Sequence, residues 1–345
     1  MVKTLLLGSD FTGLAVGAIA CKQVSNKLGY KFVHTHSCDK SRASHKFVNY
    51  VCKAEVMQKN IMHRDLEACG PCDVYVWTAP CTPFSSFGRQ EGVDAAQGSL
   101  AAFSLQYIKR WKPRTILSEN VATLLTYARY KALGDFIKRE IEKAGYVVKI
   151  RLLNSKDFLL PHWRNRWYLV AIRSDSLRTN MSVSWWPKPL SPPLDFKHLI
   201  NILPPDKWKS LPTFPLWKAN CIAAYEKCVT DGVNPFETCV IVDIGASRDY
   251  SQHRVNMCPT LTRTRCCSRG YWCCLKGGRL STAEMASLQG LSERLFPWKD
   301  AGLDESAFLG AVGDCMSMTV IESILPRLLY TGKLISKEEY SMLQS

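Results

Sequence analysis

Three groups of residues carry side chains that form bonds or move protons. Pro80-Cys81 follows an apolar, strand-like run, Val74-Tyr75-Val76-Trp77, and leads into Phe84-Ser85-Ser86-Phe87-Gly88. A thiol in that place lies at the carboxyl end of a buried strand, where open α/β sheets build their sites. Further on, Thr115-Ile116-Leu117 ends in Glu119-Asn120-Val121, and Arg164-Asn165-Arg166 precedes a last apolar run, Trp167-Tyr168-Leu169-Val170. Neighbouring strands would thus deliver a nucleophile, a carboxyl group and a guanidinium. A cysteine reacts as its thiolate, which nearby positive charge or a helix N-terminus stabilises, and the arginine pair can supply part of that field.

The elements that must position these groups alternate. Residues 3–7 read as a strand, 8–13 as a turn and 14–24 as a helix with small residues facing the sheet; 30–34 read as a strand and 41–51 as a helix. Further strands are expected at 74–77, 114–117, 146–153 and 167–172, with helices at 99–109 and 130–143. Such alternation implies a mostly parallel sheet covered by helices on both faces. Near Arg173 the pattern breaks. Residues 185–215 are rich in Pro and Trp, which suggests a smaller irregular domain, and a helical stretch at 315–330 returns to the first. The expected division is 1–175, 176–300 and 301–345.

A chain of 345 residues can bury a large core, and no apolar run is long enough to span a bilayer, so no membrane partner is expected. A monomer is expected, in the nucleus of a eukaryote or otherwise the cytoplasm. Asp10 interrupts the apolar N-terminal stretch that imitates a signal peptide. The formal charge of +15 favours a polyanionic partner through phosphate neutralisation and counterion release, without separating DNA from RNA. Fifteen cysteines in a chain of this size fit reduced thiols better than a disulfide framework. Cys69-Gly70-Pro71-Cys72 has redox spacing but precedes a strand instead of opening a helix, so coincidence is the better reading. Cys258, Cys266, Cys267, Cys273 and Cys274 are dense enough to suggest zinc, but two adjacent pairs are not the usual knuckle, and no metal is expected.

In their order the three motifs resemble those of the DNA cytosine-5 methyltransferase family: a Pro-Cys nucleophile loop, a Glu-Asn-Val turn and an Arg-x-Arg strand. Pro259-Thr260-Leu261-Thr262, Arg279 through Glu284, Leu288-Gln289-Gly290 and Gly313-Asp314 extend the likeness, so that it runs from Phe11 to about Leu329. The resemblance implies a Rossmann-like, S-adenosylmethionine-dependent sheet domain plus a smaller target-recognition domain. It implies that Cys81 adds to ring carbon 6 of a cytosine turned out of its stack, because a stacked base is inaccessible. Glu119 would meet ring nitrogen 3 and the exocyclic amine, working best with a pKa raised by burial. Asn120 would fix the loop around Cys81. Arg164 and Arg166 would be positioning donors to the base, to the catalytic carboxylate or to phosphate.

The resemblance also places S-adenosylmethionine in the first turn, at Phe11 and Gly13, with Asp39 after the second strand, Asp65 receiving the adenine amine and Pro80 beside the nucleophile. Ala15, Ser37, Thr82, His162 and Asp314 stand where the family has Gly, Glu, Gln, Gln and Asn. As a loop cap, Asp65 has an equally simple alternative role. Double-stranded DNA is the expected substrate. Transfer RNA is the second reading, since the Cys-Phe-Thr signature of that branch is absent from the sequence, and a non-catalytic nucleic-acid-binding relative is the third.

Overall fold

The computed structural model describes residues 2–80, 100–179, 183–190 and 211–344. Gly8, expected to open a turn, lies inside a strand: β1 spans Thr4–Asp10. Glycine is required there because a Cβ at Gly8 would lie 2.2 Å from Cε1 of His36, on the paired strand. That partner, β2 (Lys31–Cys38), also runs longer than expected, and a short strand invisible to pattern reading, β3 (Val56–Gln58), adds to its far side. With β4 (Val74–Trp77), β5 (Thr115–Val121), β6 (Tyr146–Asn154) and β7 (Asn165–Arg173), the sheet has the order β3-β2-β1-β4-β5-β7-β6. The pairings among β1 to β5 are parallel, whereas β7 runs antiparallel to β5.

Successive residues of β4 show why both faces need helices. Val76 points to one face, where Gly17 of α1 (Val16–Leu28) approaches so closely that a Cβ would lie 2.9 Å from the valine Cγ1. Tyr75 and Trp77 point to the other. There they pack with Leu105, Tyr107 and Ile108, and with Phe136, Ile137 and Ile141. The elements between and around the strands are α2 (Arg42–Val51), α3 (Leu66–Cys69), α4 (Ala101–Trp111), α5 (Thr123–Thr126) and α6 (Ala128–Lys143).

The second face buries polar groups beneath β1 and β2. Asp10 accepts hydrogen bonds from Arg64, Tyr75 and Ser104, and the ring of His36 lies 4.6 Å from that of Tyr107. Burial pushes the His36 imidazole down to about 3 and His34 down to about 4. Both rings are therefore neutral in the folded protein at neutral pH. Because the unfolded chain takes up protons near pH 6.5 and the folded chain does not, stability is complete above that value. It falls as the pH drops toward 4, by about 1.4 kcal/mol per unit for each ring. Urea titrations at pH 7 and pH 5 should show a lower midpoint at pH 5, and replacing His36 with Phe should shrink the difference.

The described chain divides into two units, one of residues up to 153, 165–188 and 320 onward, the other of 154–164 and 189–319. This differs from the sequence-based boundaries in three places, the first being that the second unit resumes at 189 instead of 176. Residues 154–164 belong to the second unit, and the return to the first begins at 320 instead of 301. In the second unit α7 (Pro215–Thr230) packs Cys221, Ala224 and Cys228 against a four-stranded antiparallel sheet. Its strands are β8 (Val240–Asp243), β9 (His253–Val255), β10 (Tyr271–Cys273) and β11 (Gly278–Arg279), in the order β11-β10-β8-β9. The unit also holds α8 (Arg263–Cys267), α9 (Thr282–Ser287) and α10 (Glu305–Asp314). α10 stays with this unit because a Cβ at Gly313 would lie 2.4 Å from the carbonyl carbon of Thr262, just before α8. The chain then passes through α11 (Met318–Thr331) to α12 (Lys337–Met342) in the first unit.

Candidate active site

Strand order reverses between β1 and β4, so the crevice at their carboxyl ends is the place where an open sheet binds ligands. Four chain segments converge on that edge within the first unit. Phe11 to Gly13 follow β1, Thr78 to Pro80 follow β4, and Glu119 and Asn120 end β5. Because β7 is antiparallel, its beginning reaches the same edge, with Arg166 opposite Val121.

Glu119 is 5% exposed, and its Oε1 lies 3.3 Å from Nε of Arg166. A nearly buried carboxyl and a planar donor therefore face one another across two strands, as the Glu-Asn-Val and Arg-x-Arg motifs suggested. Asn120 donates from Nδ2 to the carbonyl of Ala79 at 2.8 Å, while its Oδ1 accepts from the amide of Val121. That bond ties the end of β5 to the residue before Pro80. Sequence reasoning missed Thr78. Its amide donates to Asp10 O and its hydroxyl to Phe11 O at 3.0 Å, so the lead-in to the nucleophile is fastened to the first turn. Cys81 and Thr82 lie outside the described residues.

The first turn is held by a directed chain of hydroxyls. Nδ1 of His34 faces the carbonyl of Cys52 at 3.1 Å and so carries the ring hydrogen, leaving Nε2 to accept from Ser9 at 2.9 Å. Ser9 then accepts from Thr12, and Thr12 accepts from Ser37, both at 2.8 Å. Ser37 thus braces the turn. Asp39 supplies the carboxylate: Oδ2 accepts from the amide of Gly13 and Oδ1 from that of Ser41, each at 2.8 Å. Gly13 has φ +53° and open space where a Cβ would stand, the cradle that close approach of a ligand to backbone requires. Ala15 also has φ 53°, a left-handed conformation that explains why glycine suits this position and that costs an alanine about 1–2 kcal/mol. An open glycine beside a half-buried carboxylate fits the ribose end of S-adenosylmethionine, with Phe11, Gly13, Asp39 and Pro80 as the residues that would hold it.

Of two expected placements, Asp65 takes the capping role that the sequence also allowed, and Arg164 needs correction. Asp65 is exposed, and its Oδ1 accepts from the amides of Glu67 and Ala68, which makes it the cap of α3. Asn60, two residues after β3, accepts at Oδ1 from Met62 N at 3.1 Å. Arg164, expected to contact base, carboxylate or phosphate, is 2% exposed and serves the second unit's own backbone. Nη1 donates to Leu261 O and Gly313 O at 2.8 and 3.1 Å, and Nη2 to Cys315 O at 2.9 Å. Arg164→Ala should lower stability by about 3–5 kcal/mol, because three buried carbonyls lose a charged donor. Arg166→Ala should change stability far less while activity falls. Chemical denaturation of the two variants beside a methylation assay separates the roles.

The other departures are structural as well. His162 is fully buried, and its Nε2 accepts from the amide of Leu261 at 3.0 Å. Asp314 pairs with Arg263 on the surface. Burial pushes the thiols of Cys69 and Cys72 up to about 12, which suits packing and not redox exchange. Cys274 packs with Cys221 and Cys228, whereas Cys273 lies 3.8 Å from Cys239, and the described residues include no group of three or more metal-ligating side chains.

By sequence, the chain is 30% identical over 190 residues to the type II methyltransferase M.FnuDI of Fusobacterium nucleatum, covering 55% of this chain and 52% of that protein. It is 25% identical over 189 residues to M.HhaI of Haemophilus parahaemolyticus, covering 53% and 54%. The chain spans about half the length of these two relatives. By fold, it is similar to a prophage-encoded putative DNA modification methyltransferase of E. coli, with TM-score 0.65, 17% identity and coverage of 96% and 100%. A mutant of Spodoptera frugiperda DNMT2 also has TM-score 0.65, at 12% identity with coverage of 94% and 99%. Members of the cytosine-5 family use S-adenosylmethionine as methyl donor. The edge that gathers Phe11, Pro80, Glu119 and Arg166 lies within residues 11–329, which match the model of C-5 cytosine-specific DNA methylases, and this chain belongs to that family.

Proposed function

We propose that this chain methylates ring carbon 5 of cytosine in duplex DNA, through a covalent bond between Cys81 and ring carbon 6 of a base turned out of the helix. The observation that carries the reading is the buried Glu119–Arg166 pair at the sheet edge, beside the Asn120 bond to Ala79 that leads into Pro80-Cys81. Cytosine does not alkylate at carbon 5 unaided. Addition of the Cys81 sulfur at carbon 6, with a proton delivered to ring nitrogen 3 by Glu119, converts the ring to an enamine nucleophilic at carbon 5. Arg166 holds the Glu119 carboxyl in place, and Asn120 and Thr78 hold the chain on either side of the approach. S-adenosylmethionine supplies the electrophilic methyl group when bound. The positive excess of the chain supports a polyanionic substrate.

The test is bisulfite sequencing of random-sequence duplex DNA incubated with protein and S-adenosylmethionine, with transfer RNA in parallel. Protected cytosines in a recurring DNA context are the expected result. Protection confined to RNA would overturn the DNA assignment. Protection in neither, from protein that binds the donor in calorimetry, would overturn the activity.

A further inference from the structure

Arg254 has no carboxylate partner among the described residues. It is the central residue of β9, at the edge of the second unit's sheet. Its guanidinium lies 4.1 Å from the centre of the Trp163 ring, and its Nε is buried with no hydrogen-bond partner among the described residues. Nζ of Lys156 approaches the same ring at 5.7 Å while pairing with Asp157. Trp163 is not free to follow its neighbours. Its amide donates to Cys258 O at 2.8 Å, and its carbonyl accepts from the Thr260 hydroxyl at 2.6 Å. Trp163, His253, Arg254, Val255 and Met257 line a pocket of about 240 Å³. That lining offers cationic and neutral donors and apolar surface, with no carboxylate. Partial burial lowers the pKa of Arg254 and of His253, so the pocket holds a half-buried cation over an indole face.

We propose that Arg254, held over the ring of Trp163, is a clamp for one backbone phosphate of the nucleic-acid substrate; this rests on the function proposed above. A guanidinium covered on one face keeps its edge for ligands, and that planar fork matches phosphate oxygens in a bidentate way. The aromatic platform limits its rotamers, so little freedom is lost when it binds. The pocket is too small for a helix or strand of a protein partner but has room for a phosphate and part of its sugar.

Fluorescence anisotropy with a labelled mixed-sequence duplex, titrated with KCl from about 50 to 200 mM, tests the clamp. Arg254→Ala should weaken binding by roughly tenfold at the lowest salt and reduce the slope of log K against log[KCl] by about one. Arg254→Gln, which keeps the stem on the indole, should lose the same slope, and Arg254→Lys should keep it. Arg139→Ala, on α6 of the first unit, removes the same charge and should leave the slope unchanged, which excludes an effect of net charge. Wild-type affinity and slope in folded Arg254→Ala and Arg254→Gln would overturn the clamp alone. A wild type with no salt-dependent binding to the duplex or to transfer RNA would overturn the nucleic-acid reading and the clamp with it. A slope lost only with RNA would keep the clamp and overturn the duplex as substrate.

Discussion

Cys81→Ser is expected to abolish methylation, by at least about three orders of magnitude, while noncovalent DNA binding survives. A serine hydroxyl is scarcely ionised at neutral pH, so the bond to ring carbon 6 does not form, and without it carbon 5 stays unreactive. The readout need not depend on turnover. Fluorine at ring carbon 5 of the target replaces the hydrogen that must leave before the sulfur can be expelled. Wild-type protein with S-adenosylmethionine and a 5-fluorocytosine duplex should therefore give a denaturant-resistant adduct, mapped by mass spectrometry to Cys81, and the serine variant should give none. An adduct on another cysteine, or a fully active Cys81→Ser, would show that the nucleophile has been misassigned.

Glu119→Gln is expected to slow adduct formation by about 10²–10⁴-fold, the range over which a positioned proton donor acts. The amide is nearly the same size and can still face Arg166, so the sheet edge keeps its shape. What it lacks is an acidic proton to place on ring nitrogen 3 as sulfur adds. Single-turnover adduct kinetics against thermal unfolding distinguish this from damage to the fold. A slow variant with an unchanged unfolding midpoint supports the assignment, and a variant as fast as wild type removes Glu119 from the chemistry.

The sheet and its edge were legible because they follow from short-range rules. Val74-Tyr75-Val76-Trp77 reads as a buried strand by length and composition, and the polar residues after it had to stand at its end. Motif order brought Glu119 and the Arg164-Asn165-Arg166 run to neighbouring strands, but it did not say which arginine would face the carboxyl. Gly8 misled because turn formation and close approach use the same residue, and only the His36 ring across the pair decides between them. Arg164 misled for a related reason. Its neighbour Arg166 is identical in type, and the carbonyls of Leu261, Gly313 and Cys315 that claim Arg164 lie far away in sequence. The four-stranded sheet of the second unit was hidden by short strands, two of three residues and one of two, too brief for periodicity to show. The role of Thr78 left no signal, since a threonine after a strand is ordinary.

The reversal of β7 also governs how the gene could be recombined. A strand running parallel to β5 would leave its first residues, Arg166 among them, at the edge opposite the functional one. Here Arg166 arrives on the first residues after 154–164, a stretch of the other unit whose last side chain, Arg164, is anchored to residues near 261 and 313–315. A chimera that exchanges 189–319 alone would leave the parental Arg164 facing foreign carbonyls, one residue before the strand that carries Arg166. The portable cassette is discontinuous, and 154–164 must travel with it.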